Sequence, residues 1–183
     1  MAMQAYLTIV GQDGKKLTMG ASSPESIGST YKESYKESYK DEASTDEENP
    51  EDRIMIQAFS HQVMSARNTQ TGQPTGGRIH KPLVITKIFD KTSPLLLEAL
   101  HEGDRLQSVK IDWYRNSAGG KREHYYTTEL EEAVIVEIKD YMDICQNPEK
   151  MDPLHLEEVH FSYRKITVTH VAASTSGVSD WND

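Results

Sequence analysis

Residues 109–138 read VKIDWYRNSAGGKREHYYTTELEEAVIVEI, and this stretch decides the fold. Val109, Ile111 and Trp113 alternate with Lys110, Asp112 and Tyr114, the period-two pattern of a strand with one covered face. The segment NSAGGK at 116–121 supplies glycines for a reversal, and Tyr126, Thr128 and Leu130 run back, so a β-hairpin is expected. The returning strand continues through Ala133, Val134, Ile135, Val136 and Ile138, interrupted by Glu131 and Glu132. A bend or bulge at that acidic pair would turn the corner of a barrel.

Strand signals extend in both directions. Residues 5–10 begin the series, and Ile54, Ile56 and Ala58 alternate with Met55 and Gln57 in a run up to Val63. The run KPLVITKIF at 81–89 is apolar in both phases, as in a strand covered on two sides. Near the C-terminus Val159, Phe161 and Tyr163 share one phase and Ile166 and Val168 the other, which predicts a bulge between Tyr163 and Ile166. One helix is signalled, with Ser93 as N-cap, Pro94 at the first helical position, Leu95, Leu96, Leu97, Ala99 and Leu100 as its apolar residues, and Gly103 as the stop. These signals predict a mainly β fold, a small antiparallel β-barrel or sandwich with one short flanking α-helix. The expected organisation is a single domain over 1–172 and a polar C-terminal tail at 173–183.

The chain has 183 residues, 36% of them hydrophobic, which suits one core. Its net charge of −9 is unevenly placed. Residues 31–52, YKESYKESYKDEASTDEENPED, hold three lysines against nine acids and so carry −6 of it. This stretch reads as a solvated insertion, because beyond its tyrosines little in it is worth burying. A net negative chain repels a phosphate backbone, so nucleic acid is not an expected partner. No run approaches the roughly 20 apolar residues of a membrane span, and residues 1–11 have no basic n-region of a signal peptide. Cys145 is the single cysteine, so no internal disulfide and no CxxC pair can form.

Chemistry-bearing patterns are weak. His155, Glu157, Glu158 and His160 lie close together, but in a strand His155 and Glu157 share a face that His160 does not, so no metal site is expected and these are read as surface positions alternating with core-facing Val159 and Phe161. Glu131 and Glu132 are adjacent and point apart, so they do not form an acid and base pair. Cys145 has no neighbouring basic residue to lower its pKa. GxSxG, P-loop, GxGxxG and HExxH patterns are missing, so neither an enzyme nor a bound cofactor is expected. Residues 65–80, SARNTQTGQPTGGRIH, form a polar connection far longer than a hairpin turn requires, read either as a floppy excursion or as an arm that reaches a neighbouring molecule.

Several segments together resemble a known family. Residues 80–100 (HKPLVITKIFDKTSPLLLEAL), 109–115 (VKIDWYR), 123–136 (EHYYTTELEEAVIV) and 156–170 (LEEVHFSYRKITVTH), the N-terminal MAMQAYLTIVG and the pair Asp180–Trp181 are similar to the Hcp proteins of the bacterial type VI secretion system. The resemblance spans nearly the whole chain apart from 31–52. It implies a barrel subunit that closes into hexameric rings, rings that stack into the inner tube, and a lumen that carries effector proteins for export. The implied partners are further copies of the chain, effectors, and the sheath and spike proteins of the apparatus. The implied course is synthesis in the bacterial cytoplasm and secretion without a cleaved signal peptide. By the resemblance, Arg67, Thr69, Gln73, Thr75 and Arg78 lie on the loop that contacts an adjacent ring, Ser60 is a candidate lumen position, and Asp90, Lys91, Thr92, Ser93 and Pro94 form the helix-entry motif. Two other readings compete: a barrel binding a small ligand in its interior, which bulky Trp113, Tyr126 and Phe161 argue against, and an effector with hydrolytic activity of its own.

Overall fold

The structure, a computed structural model, describes residues 3–28, 49–117, 119, 120, 122–142 and 155–181. Cys145 and most of the acidic 31–52 stretch lie outside these residues. The strands are β1 (Ala5–Val10), β2 (Ile54–Met55), β3 (Ala58–Ser60), β4 (Val63–Arg67), β5 (Pro74–His80), β6 (Leu83–Ile88), β7 (Leu106–Asn116), β8 (Arg122–Met142), β9 (His155–Ser162), β10 (Lys165–His170) and β11 (Thr175–Asp180). Among the described residues two α-helices accompany them, α1 (Pro24–Ile27) and α2 (Ser93–Glu102). All strand pairs are antiparallel. A mainly β fold with a flanking helix is what the alternation predicted, and α1 is a short addition to it.

The 21-residue β8 organises the molecule. Its first half pairs with β7 and β10, its second half with β9, and the change of partners falls at Glu131–Val134. Glu132 takes a positive φ of 50°, which swings the strand from one sheet into the other. The corner is neutralised by cations from both sides: Lys165 lies 2.6 Å from Glu131, and Arg164 and Arg105 lie 3.1 and 3.6 Å from Glu132. The anticipated corner is therefore present, with a separate register shift between Ile135 and Glu137. The main sheet runs β2-β1-β7-β8-β9-β6-β3, with β10 and β11 branching from β8. It does not close as a continuous barrel. Its two terminal strands nevertheless belong to one run of chain, in which Ile56 N–H donates to Ala5 O on β1 and Gln57 N–H to Thr86 O on β6.

That crossing corrects the single strand expected over residues 54–63: the run divides into β2, β3 and β4 because it serves three partners in succession. Likewise, the bulge expected between Tyr163 and Ile166 is a break. The chain leaves β9 at Ser162 and enters β10 at Lys165, passing from one sheet to the other, which inverts its phase. The polar 173–183 stretch contains β11, which is held to β10 through six register pairs from Lys165–Asp180 to His170–Thr175. Its side chains are mostly exposed, so period-two polarity was missing and only backbone hydrogen bonding marks it.

Leu7, Ile9, Leu83, Ile85, Leu96, Val109, Ile111, Leu130, Val159 and Phe161 are among the residues that fill the core between the sheets. Leu96 and Ala99 seat α2 upon it. The helix ends at Gly103, whose left-handed φ of 69° lets its N–H reach back to Leu100 O at 3.3 Å. Of the bulky residues placed inside by alternation, Phe161 is fully buried, whereas Trp113 and Tyr126 are half-buried.

Candidate functional site

Residues 65–80 are not an irregular loop. Strands β4 and β5 form a separate two-stranded hairpin whose side chains are almost all exposed. Its tip is built by Asn68: the side-chain oxygen accepts from Gln70 N–H at 2.8 Å and Thr71 N–H at 3.2 Å, while Asn68 N–H donates to Gln73 O at 2.8 Å. Gly72, with φ of 70°, closes the reversal and donates to Asn68 O. Arg67 donates weakly to Gly72 O at 3.4 Å, and Thr69 and Gln73 sit at the tip. Thr75 and Arg78 line β5, exposed, beside Gly76 and Gly77, which have open space around them. Val63, Met64 and Ile79 expose apolar surface nearer the root. A β-ribbon this poorly covered gains little from the rest of its own chain. Sequence reasoning read a long connection here and missed that it is paired, because Pro74, Gly76 and Gly77 suppress strand propensity.

At the root the hairpin is fastened by a polar cluster. Tyr163, in the β9–β10 break, is buried, and its hydroxyl lies 2.7 Å from His61 Nε2 and 2.9 Å from His80 Nδ1. Ser179 Oγ on β11 is 3.3 Å from His80 Nε2, and the Trp181 ring lies 5.8 Å from that of His80. Burial pushes the Tyr163 phenol up to about 12. It also lowers the His61 pKa, with the neighbouring His80 as a second cause.

The helix-entry motif does different work. Lys87, wholly buried, donates to Glu157, to Ser93 Oγ at 3.1 Å and to Ile88 O at 3.0 Å, and lies 3.1 Å from Asp90. Ser93 Oγ also donates to Glu157 and accepts from Asp90 N–H at 3.2 Å. Asp90 accepts from Thr92 N–H at 2.7 Å, and Lys91 N–H donates to Ser26 Oγ at 2.9 Å, which ties α1 to the same corner. Thr92, not Ser93, stands at the N-cap position, without a side-chain capping bond, and the Ser93 hydroxyl engages Lys87 and Glu157 instead. Pro94 holds the first turn. Glu157 thus departs from the surface position expected of it: it faces Lys87 directly across β6 and β9. A signal existed, since Lys87 shares the phase of core residues Leu83 and Ile85, and Glu157 that of Val159 and Phe161.

Ser60 lies exposed on β3, at the end of the sheet. The hairpin residues, Ser60 and the helix-entry motif stand on separate elements and do not converge on one pocket. Among the described residues no group of three or more His, Cys, Asp or Glu side chains is placed to hold a metal. A recess of about 390 Å³ lies between the β1 end and α2, lined by Gly11, Asp13, Leu17, Leu95, Ala99 and Leu106 among others.

Residues 42–170 match the family described as type VI secretion system effector, Hcp. The chain is 52% identical to the "Major exported protein" of Pseudomonas aeruginosa, over 99% of this chain and 96% of that one. Its fold resembles the crystal structure of an Hcp protein with a TM-score of 0.85 at 37% identity, covering 100% and 99% of the two chains. The secreted protein Hcp3 from Pseudomonas aeruginosa gives 0.75 at 46% identity, covering both chains fully. Shared sequence over the full β framework, including the arm and the helix entry, places this chain in the Hcp family of type VI secretion proteins.

Proposed function

We propose that the chain is a non-enzymatic structural subunit of the type VI secretion inner tube, forming hexameric rings that stack and carry effector proteins in the lumen. The observation that carries this reading is the β4–β5 hairpin, a paired ribbon with little intramolecular cover. A partner copy would supply the contacts that the arm lacks, with Arg67, Thr69, Gln73, Thr75 and Arg78 meeting the adjacent ring and Ser60 facing the lumen. Strands β3 and β11 end the sheets with one pairing side unused among the described strands, and a head-to-tail ring contact would cover such edges without needing a twofold patch. Effectors would then be held in the space enclosed by the ring, and the sheath and spike proteins would meet the tube's outside and end. The subunit would be made in the bacterial cytoplasm and leave through the apparatus, in keeping with a relative named as exported. Light scattering coupled to size-exclusion chromatography tests the reading: a particle of six 20.7 kDa protomers, annular in negative-stain micrographs, is the expected result. A strictly monomeric protein at high concentration would overturn it.

A further inference from the structure

Residues 53–89 hold no aspartate or glutamate, in a chain that has 29 of them. Two cations of this stretch are buried beside acids from elsewhere, Arg53 at 3.7 Å from Asp112 and Lys87 at 3.1 Å from Asp90. Arg67, Arg78 and Lys81 remain, all exposed and all on the hairpin or at its root. Among the described residues none of these three stands in an ion pair, and Arg67 donates weakly to Gly72 O at 3.4 Å. The ribbon is thus an arm of positive sign on a chain whose net charge is −9.

The recess beside α2 has the opposite character. Leu95, Glu98, Ala99 and Glu102 recur at three- and four-residue spacing, which sets them on one face of the helix as the wall of the recess. Leu17 and Leu106 add apolar floor to the cavity of about 390 Å³, and Asp13 and Asp104 add acid to its rim. Among the described residues no lysine or arginine lines it. Asp13 is held by Lys15 at 3.0 Å, whereas Glu98, Glu102 and Asp104 have no cation partner among the described residues. Other exposed acids and cations do meet: Glu123 pairs with Arg115, Glu131 with Lys165, and Glu132 with Arg105 and Arg164. The arm does not enter its own recess, since no residue of 63–80 lines it and the side chains of the ribbon are almost all exposed.

We propose that this recess is the seat of the hairpin from a second copy of the chain. The aliphatic stems of Arg67 and Arg78 lie on Leu17, Leu95 and Leu106, and their guanidinium groups reach Glu98, Glu102 and Asp104. Arginine suits such a site because its stem is apolar and its head pairs with a carboxylate through two parallel bonds. Two different surfaces meet, so the contact is head to tail and repeats from copy to copy without a twofold axis. Resting on the proposed role of the arm between rings, the recess becomes the surface that receives it.

Site-directed cross-linking of the full chain tests the seat. In a Cys145→Ser background, one tagged copy carries Thr69→Cys at the arm tip, and a differently tagged copy carries Gln12→Cys at the recess. After co-expression and treatment with a short bismaleimide, a mixed-tag dimer is expected. Moving the second cysteine to Lys139→Cys, exposed on β8, should abolish it. Adding Glu98→Arg and Glu102→Arg to the recess copy should cut the yield roughly tenfold through like-charge repulsion. Adding Arg67→Glu and Arg78→Glu to the arm copy as well should restore it. All these positions are exposed, so the fold tolerates the exchanges. No mixed-tag dimer, a yield as high with Lys139→Cys, a yield indifferent to the reversal in the recess, or no recovery when both sides are reversed would each overturn the seat. Light scattering on the same samples keeps the two readings apart: rings without the cross-link sink the seat alone, and cross-linked pairs with no hexameric particle sink the ring reading alone.

Discussion

Lys87 shows how one side chain can govern a corner of the fold. Its ammonium is wholly removed from water and is offset by Glu157 and Asp90, with Ser93 and the Ile88 carbonyl taking the remaining proton donors. Such a set contributes little compared with an apolar substitute of equal shape, but breaking it from one side leaves an uncompensated charge in the interior. Lys87→Met is therefore expected to destabilise the protein by about 3–5 kcal/mol, read as a lower urea midpoint, because two carboxylates are left behind. Lys91→Met, at an exposed neighbour on the same motif, should change stability by less than about 0.5 kcal/mol. If the two variants unfold alike, the buried cluster does not anchor α2.

At the scale of the element, β8 works because one residue accepts a backbone conformation that most strand residues avoid. Glu132 holds a left-handed φ of 50° between the two halves of the strand, and its carboxylate is shared by Arg105 and Arg164. A β-branched side chain there meets the full steric penalty, so Glu132→Val should cost about 1–2 kcal/mol. Glu132→Gly removes the penalty and the exposed ion pairs together, and should fall within about 1 kcal/mol of the parent. Thermal unfolding of the two variants distinguishes backbone conformation from charge: equal losses would show that the ion pairs, not the turn of the strand, set the cost.

Over the whole molecule, the described residues divide into a packed body and one ribbon that stands off it. The body is held by the shared core, whereas the ribbon is held at its root and by its own ladder. Replacing residues 68–73 with Asn-Gly would reconnect Arg67 and Pro74, already paired across the hairpin, by a two-residue turn. Under the proposed assembly, the shortened protein is expected to keep its melting temperature within a few degrees and its ring mass, and to lose the higher-mass stacked species in sedimentation velocity. Retention of stacks would move the ring-to-ring contact to another surface.

The sequence alone determined the apolar strands, since β7 and the core half of β9 must bury one phase of side chains and β1 and β6 are covered on both faces, and it located the β8 corner because two adjacent acids cannot continue a core-facing pattern. It also held the helix, through Pro94 at its start and Gly103 at its end. What only the tertiary structure decided are the features that depend on a distant partner. The 54–60 run divides because β1 and β6 claim different parts of it, β11 exists because β10 offers a free backbone ladder, and Glu157 is buried because Lys87 lies opposite. The His61–Tyr163–His80 cluster belongs to the same class: three residues up to 102 positions apart in the chain met only when the sheets closed round the core, and local spacing carries no record of such a meeting.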